Sequence, residues 1–326
     1  MLPLADYETL HTRDVDRARE MIGRALAPHT LRVLDHAADF DARQHSAPLG
    51  AVTLGYLRYG AEVQIATDRI GSFYLIHIPI RGWIETDNRL SQVQSTPATA
   101  SVAQPGLPYR MQWRVGAEQL LARFEAGVLH RNLGELLGYI PKQPLRFDLG
   151  IDLRTPRMRS WLDTIDLIRR DTERGQPLAA SPLALAHLQD LLAIGLLVGA
   201  RHNHSPLLDS DGVRPALPQH VRAAVDLMRE RLADPINVHD LARGVGVATR
   251  SLQEGFQKHL GTTPTAYLAQ LRLEQAHADL LRADPSTTTV TAIATRWGFT
   301  NGSRFAQAHR RAYDETPSQT LRRAAI

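Results

Sequence analysis

Two segments near the end of the chain carry the same punctuation at the same spacing. Ala242 precedes Gly246 by four residues and Ala294 precedes Gly298 by four; an apolar residue, Val247 or Phe299, follows each glycine. Downstream, Leu252 lies six residues past its glycine and Phe305 seven past its own, while Pro264 lies eighteen past and Pro317 nineteen. One extra residue in the second turn accounts for both offsets. The pattern is that of a helix-turn-helix: a small residue where the second helix crosses the first, a glycine where the turn needs positive φ, then apolar residues that seal the second helix while its other face stays free. A single Ala-x₃-Gly marks any packed helical hairpin. Two copies, separated by the helical pattern of residues 265–283 and each ending in Thr-Pro, point to a pair of DNA-reading units.

Composition limits the alternatives. At 326 residues, 43 % hydrophobic and 22 % charged, the chain is long enough for two globular domains. It has no cysteine, which removes disulfides, thiolate metal sites and thiol nucleophiles together. All but two of its 38 basic residues are arginines, the exceptions being Lys142 and Lys258. Arginine's planar fork suits phosphate and guanine, although a biased genome enriches it equally. From Pro218 onward 14 basic residues stand against 10 acidic, so the whole net charge of +4 belongs to the last third. No apolar run is expected to reach the ~18 residues of a membrane span, because His187, Gln189 and Asp190 interrupt the richest. The opening "MLPLADYETLHTRD" lacks the basic-then-apolar order of a secretory signal, and a cytoplasmic protein is expected.

Three regions differ in period. Residues 50–125 run in short apolar or alternating bursts divided by turn residues, which predicts an antiparallel sandwich or barrel. Residues 156–200 change to helical spacing behind Pro and Ser caps and predict two helices, packed on each other or on a partner subunit. The Pro-, Ser-, Asp- and Gly-rich stretch 201–217 breaks both periods and reads as a linker between a domain at 1–200 and one at 218–326. Beyond it every segment is helical in pattern, seven in all.

Residues 218–326 resemble the DNA-binding domain of the AraC/XylS transcription regulators, on the blocks "INVHDLARGVGVATRSLQEGFQKHLGTTPTAYLAQLRLEQAHADLL" and "TVTAIATRWGFTNGSRFAQAHRRAYDETPSQTLRR". The resemblance implies an α+β chain: a cupin-like β-barrel with two dimerisation helices, then an all-α domain of two helix-turn-helix units joined by a linker helix. It implies as partners an operator in double-stranded DNA, RNA polymerase, a small-molecule effector such as an aromatic acid or amine, and a second copy bound through helices within 157–200. In the first recognition helix Thr249, Arg250, Gln253, Glu254 and Lys258 fall on the face that meets bases and phosphates in this family, and in the second Asn301, Ser303, Arg304 and Gln307 hold the matching positions. Arg250 can read guanine and Gln253 adenine; Glu254 departs from the common basic residue, accepting from cytosine or repelling phosphate. Gly255 is unusual inside such a helix, costing about 1 kcal/mol against Ala. His309 stands where the family has an aromatic seal, either as a packed ring or as a pH switch. Arg310 and Arg311 are phosphate clamps or solvated charges.

The first 200 residues are similar in layout to the sensing domain of the XylS-like subgroup. His77 alternates with Phe73 and Leu75, Tyr56 and Arg58 share another face, and Trp83 and Trp113 can clamp a flat ligand; these five are the candidate ligand residues. A metal-dependent cupin needs a His-x-His pair, and Pro79 takes the partner's place beside His77, leaving Glu85 nearby. No metal, cofactor or enzymatic activity is therefore expected. The "HNH" at 202–204 lacks the separated-strand geometry of a nuclease. The expected function is a ligand-responsive activator; the alternatives are a cupin-type enzyme fused to a DNA-binding tail and a regulator whose input is a protein.

Overall fold

The computed structural model describes residues 2–35, 39–68, 70–139, 141, 143–175, 178–209, 218–313 and 315–323. In chain order the first elements are β1 (Glu8–Thr12), α1 (Val15–Ala25), β2 (Thr30–Val33), β3 (Ala42–Leu49), β4 (Val52–Arg58), β5 (Val63–Thr67), β6 (Phe73–Arg81), β7 (Ile84–Asp87), β8 (Gln92–Ser95), β9 (Thr99–Ala103), β10 (Tyr109–Trp113), β11 (Glu118–Glu125), α2 (Ala126–Leu137), β12 (Gly150–Asp152), α3 (Pro156–Glu173), α4 (Pro182–Gly199) and α5 (Ser205–Asp209). Then come α6 (Gln219–Glu230), α7 (Val238–Gly244), α8 (Thr249–Leu260), α9 (Pro264–Arg282), α10 (Val290–Arg296), α11 (Gly302–Tyr313) and α12 (Pro317–Arg323). The fold is α+β, and the chain divides into one unit of residues 1–133 with 143–210 and another of 134–142 with 211–326.

The first unit is built on two sheets, one of seven strands ordered β1-β3-β4-β11-β6-β9-β12 and one of five ordered β2-β5-β10-β7-β8. They are two open sheets where a closed barrel was expected, with a Thr96–Thr99 bridge in the turn from β8 to β9. Period-two alternation decides what lies between them. On β6, Phe73 and Leu75 join the buried cluster that also holds Leu57, Leu121, Ile84, Tyr109, Met111 and Trp113 from strands of both sheets. Their neighbours take the other face: the Tyr74 hydroxyl, for one, donates to the Leu145 carbonyl at 2.9 Å. The run reads as continuously apolar because both faces of β6 are covered.

Helices α3 and α4 begin at side-chain caps, Thr155 and Ser181, each followed by proline at the first helical position. They pack on each other where Trp161 and Met158 of α3 meet Gly195 and Gly199 of α4, and the Trp161 indole donates to the Leu192 carbonyl at 2.9 Å. Contrary to the sequence expectation, α4 is long and apolar enough to cross a membrane by length and composition: its mean hydropathy is 1.6 despite His187, Gln189 and Asp190. Only 22 % of it is buried within the chain. Residues 201–209, the start of the expected linker, fold onto this unit: His202 and His204 meet the carbonyls of Leu197 and Gln143, at 2.9 and 3.1 Å, and Asn203 donates to Pro144. The "HNH" histidines thus serve as buried backbone ties. Residues 210–217, the rest of that stretch, lie outside the described residues.

The second unit has two small cores bridged by one helix. Val221, Ala224 and Met228 of α6, Leu241 and Ala242 of α7, and Leu252, Phe256 and Leu260 of α8 close over Tyr267, Leu268 and Leu271 of α9. Further along α9, Leu273, Ala276 and Leu280 pack with Ile293 and Ala294 of α10, Phe305 of α11 and Leu321 of α12. Each core by itself is small, so the shared helix is what lets two short hairpins be stable.

Candidate nucleic-acid interface

The first helix-turn-helix starts at a capping box in which the Asn237 side chain accepts from His239 and Asp240 amides and Asp240 reaches back to the Asn237 amide. The turn closes when the Val247 amide donates to the Ala242 carbonyl at 3.0 Å, with Gly246 at φ 71°. The second repeats this: Thr289 caps α10, the Phe299 amide donates to the Ala294 carbonyl at 2.9 Å, and Gly298 sits at φ 77°. Both glycines are required by the left-handed backbone. The extra residue inferred from spacing lies in this turn, since α8 begins three residues after its glycine and α11 four after its own, and both helices then run for 12 residues.

With that offset Leu252 corresponds to Phe305, Phe256 to His309, Arg250 to Ser303 and Glu254 to Gln307. The buried face of α8 is Leu252, Gly255, Phe256 and Leu260, and that of α11 is Phe305 and His309. Gly255 has a packing reason: a Cβ there would stand 2.8 Å from Val221 Cγ2 and 3.0 Å from His220 Nε2, so α6 could not approach α8 as it does. The cost in helix propensity is the cost of that crossing.

The opposite faces are exposed. On α8, Arg250, Gln253, Glu254 and Lys258 recur at helical spacing and all are exposed, with Gln257, missed in the sequence, among them. Its signal was its place three residues after Glu254 on the same exposed stripe. Thr249 is half-buried, its hydroxyl 3.3 Å from His239 Nδ1. Arg250 is 89 % exposed at its side chain, yet its Nε donates to Glu254 Oε1 at 2.9 Å one turn on, and this partner raises its already high pKa. Glu254 is thus first of all the intrahelical partner of the arginine expected to read guanine. On α11, Ser303, Arg304, Gln307, Arg310 and Arg311 are exposed, and the helix carries no carboxylate; among the described residues Arg304 has no ion pair. Asn301 has a structural role, its Oδ1 accepting from the Arg304 amide at 2.9 Å as an N-cap.

His309, fully buried, is tied on both nitrogens: Nδ1 meets the Glu315 carbonyl at 2.9 Å and Nε2 meets His277 Nδ1 at 3.0 Å. Tyr313 stacks on His277 at 3.7 Å. Burial lowers the His309 pKa, although the bond to Glu315 works the other way. His277 was not singled out from sequence; its signal was its place in the apolar stripe of Leu273, Ala276 and Leu280.

In the first unit the five candidate ligand residues do not converge. His77 and Trp113 point between the sheets, since His77 pairs with Leu121 and Trp113 with Ile84, both in the enclosed cluster. Tyr56 and Arg58 lie on the other face of the seven-stranded sheet, where the Tyr56 hydroxyl donates to Glu118 at 2.9 Å and Arg58 pairs with Asp41. Trp83 is half-buried beneath the Arg114 guanidinium, 4.6 Å away, on the outer side of β7 and β10. The separation of Tyr56 from His77 follows from the pairing of β4 and β6 with β11, and the outward turn of Trp83 from the pairing of β7 with β10. Among the described residues no group of three or more His, Cys, Asp or Glu is placed to hold a metal ion.

The chain matches the AraC-binding-like domain over residues 18–198 and a helix-turn-helix domain over 241–323. It is 35 % identical over 324 residues to a probable thc operon regulatory protein of Rhodococcus erythropolis, covering 97 % of this chain and 95 % of the relative. It is 24 % identical over 303 residues to XylDLEGF operon transcriptional activator 1 of Pseudomonas putida, covering 93 % and 91 %. A solved structure of the AraC-like transcriptional activator CuxR is 16 % identical and superposes with a TM-score of 0.45, covering 83 % of this chain and 95 % of that one. With two helix-turn-helix units behind an AraC-binding-like domain, the chain belongs to the AraC/XylS family of DNA-binding transcription regulators.

Proposed function

We propose that the protein is a cytoplasmic, ligand-responsive activator and not an enzyme, in which residues 1–200 sense a small organic molecule and dimerise and residues 218–326 bind operator DNA. The observation that carries this reading is the duplicated hairpin with two exposed, polar helix faces in one unit. Arg250, Gln253 and Lys258 on one face, and Ser303, Arg304, Gln307, Arg310 and Arg311 on the other, are the DNA-contacting set; Thr249 and Asn301 position them. Two recognition helices in one chain suit two successive major-groove segments, and the arginine-rich second face supplies phosphate contacts.

Support for a homodimer comes from α4, whose Leu183, Leu191 and Val198 are 70, 53 and 36 % exposed and fall on one side of the helix at eight- and seven-residue steps. A second copy pairing along this seam would cover them, and RNA polymerase would be the further partner of an activator bound beside a promoter. The names of the two relatives, an operon regulatory protein and an operon transcriptional activator, favour activation of an operon. The effector acts by binding the DNA-competent arrangement more tightly than the other.

The test is selection of bound sequences from a random duplex library by the full chain, followed by footprinting. The expected result is one selected sequence in which each bound protomer protects two major-groove segments about 10 base pairs apart. No sequence selection, or a single protected segment, would sink the reading.

A further inference from the structure

Five polar side chains enclosed between the two sheets, His77, Gln119, Tyr109, Ser101 and Thr86, form one connected group. His77 Nδ1 lies 2.9 Å from Gln119 Oε1, its ring stacks on Tyr109 with centroids 5.5 Å apart, and the Tyr109 hydroxyl meets Ser101 Oγ at 2.7 Å. Thr86, on the opposite sheet, donates to Ser101 at 3.4 Å. Strand pairing puts all of these inward: Gln119 opposes Leu57, Ser101 opposes His77, and Thr86 opposes Met111. Gln119 is fully buried, and only one end of its amide is engaged; Nε2 has no hydrogen-bond partner among the described residues. Ser95 Oγ and Trp113 Nε1, on strands facing the same interior, are also without one. Buried polar groups of this kind are nearly always satisfied, so an amide aimed between the sheets with a free end marks a place for a ligand's polar group.

The charge of that ligand follows from what is missing around it. Among the described residues no Asp, Glu, Lys or Arg is buried. Burial pushes the His77 pKa down to about 4, so the ring is neutral at physiological pH and offers no counter-charge. Arg123, two residues along from Leu121 on the same face, is occupied by Glu125 at 2.8 Å. An ionised carboxylate placed beside Gln119 would lose its hydration with only neutral donors and no buried counter-charge to offset the loss. A carbonyl group loses far less and is matched by an amide N–H.

Building on the reading of the first unit as the sensor, we propose that the effector is an uncharged molecule bound through a carbonyl group to the free end of the Gln119 side chain, an amide being the fullest match. A carboxylic acid of the same shape is rejected in its ionised form. An amide fits best because it accepts from one neighbour and donates to another, as the mixed hydroxyl, imidazole and amide lining requires.

The experiment uses the full chain at pH 7.5 and matched probes: acetamide and acetate, benzamide and benzoate, phenylacetamide and phenylacetate. At least one amide is expected to raise Tm and to bind at least tenfold more tightly than its acid by calorimetry. Gln119→Met, close in shape but without the amide, should keep its ligand-free Tm and lose the shift. A change in the Gln119 side-chain amide resonances of the unaltered chain on adding that amide reads the same contact without a substitution. The inference is overturned if no amide raises Tm, or if an acid binds as well as its amide and loses its binding in Arg123→Gln. Selective DNA binding by the unaltered chain, measured in parallel, separates the two failures: kept, only the effector class is wrong; absent, the regulator reading itself falls.

Discussion

The two helix-turn-helix units share a frame and differ in almost everything mounted on it. In both, a buried alanine lends its carbonyl to the turn, a glycine takes positive φ two residues past the first helix, and a 12-residue second helix follows. At the sealing position the first unit has Phe256, against Tyr267 at 5.7 Å, whereas the second has His309 bonded to His277 and to the Glu315 carbonyl. On the exposed side the first unit's arginine is held by Glu254, while the second has Gln307 at that place and an Arg304 with no ion pair among the described residues. Backbone geometry tolerates little change, because it sets where the helices cross. Side chains facing solvent can diverge freely, and a buried polar seal can replace an apolar one provided each of its nitrogens is satisfied.

The largest break in the comparison should come from Phe305→Ala. Phe305 is fully buried in the smaller core, and its loss is expected to cost about 3–5 kcal/mol and to unfold the second unit locally. Amide exchange in α10 and α11 should accelerate while α7 and α8 stay protected; uniform acceleration would show that α9 couples the two cores into one cooperative block. Next, Arg304→Ala should weaken selective DNA binding by about 1–3 kcal/mol, more than Arg250→Ala does, because Arg250 must first leave Glu254. Titration of the selected duplex reads both, and ligand-induced thermal stabilisation should survive in each; its loss in Arg250→Ala would refute the division of labour between the units.

Acid offers a third, smaller separation. The folded-state pKa of His309 is lowered below its ordinary value of 6.5, so the folded second unit binds fewer protons than the unfolded one. Its contribution is complete above about pH 6.5 and is lost as pH falls from there toward the lowered folded value. Exchange rates corrected for intrinsic chemistry should therefore rise from pH 7 to 5 in α10 and α11 and not in α7 and α8, where no histidine is buried among the described residues. His309→Phe should abolish that difference. The smallest effect is expected from Glu254→Gln, which frees Arg250 and removes a negative charge from the reading face. DNA affinity should rise about threefold at low salt and fade at high salt. No gain would mean that Glu254 itself contacts a base.

Legibility followed the range of the interactions. The helix-turn-helix pair could be read down to the extra turn residue, because helical period, positive φ at glycine and Thr-Pro starts are local properties of consecutive residues. So could the faces shared within one strand, His77 with Phe73 and Leu75 or Tyr56 with Arg58, since strand alternation is also local; that Tyr56 and His77 take opposite faces of the sheet was set by the pairing of β4 and β6 with β11. What escaped was set by distant partners. Glu254 looked like a reader or repeller of DNA until its rotamer placed it on Arg250, and Asn301 like a base contact until it proved to cap α11. Trp83 and Trp113 looked equivalent, and the pairing of β7 with β10 sent one outward and enclosed the other. Residues 201–209 had a linker's composition, yet their histidines found the carbonyls of Leu197 and Gln143.

The sequence by itself determined that this chain would carry two copies of a DNA-reading hairpin behind a β-rich, ligand-sensing type of domain. Short-range periodicity and backbone conformation are written in neighbouring residues. Only the tertiary structure decided which polar groups would be used up by one another and which would be left over. His309 closes on His277 from another helix, 32 residues away in sequence. Gln119 meets His77 across a strand pair, 42 residues apart, and its Nε2 has no partner among the described residues. Satisfaction of a buried hydrogen-bonding group depends on what packing brings within 3 Å of it, and that is a property of the folded chain as a whole.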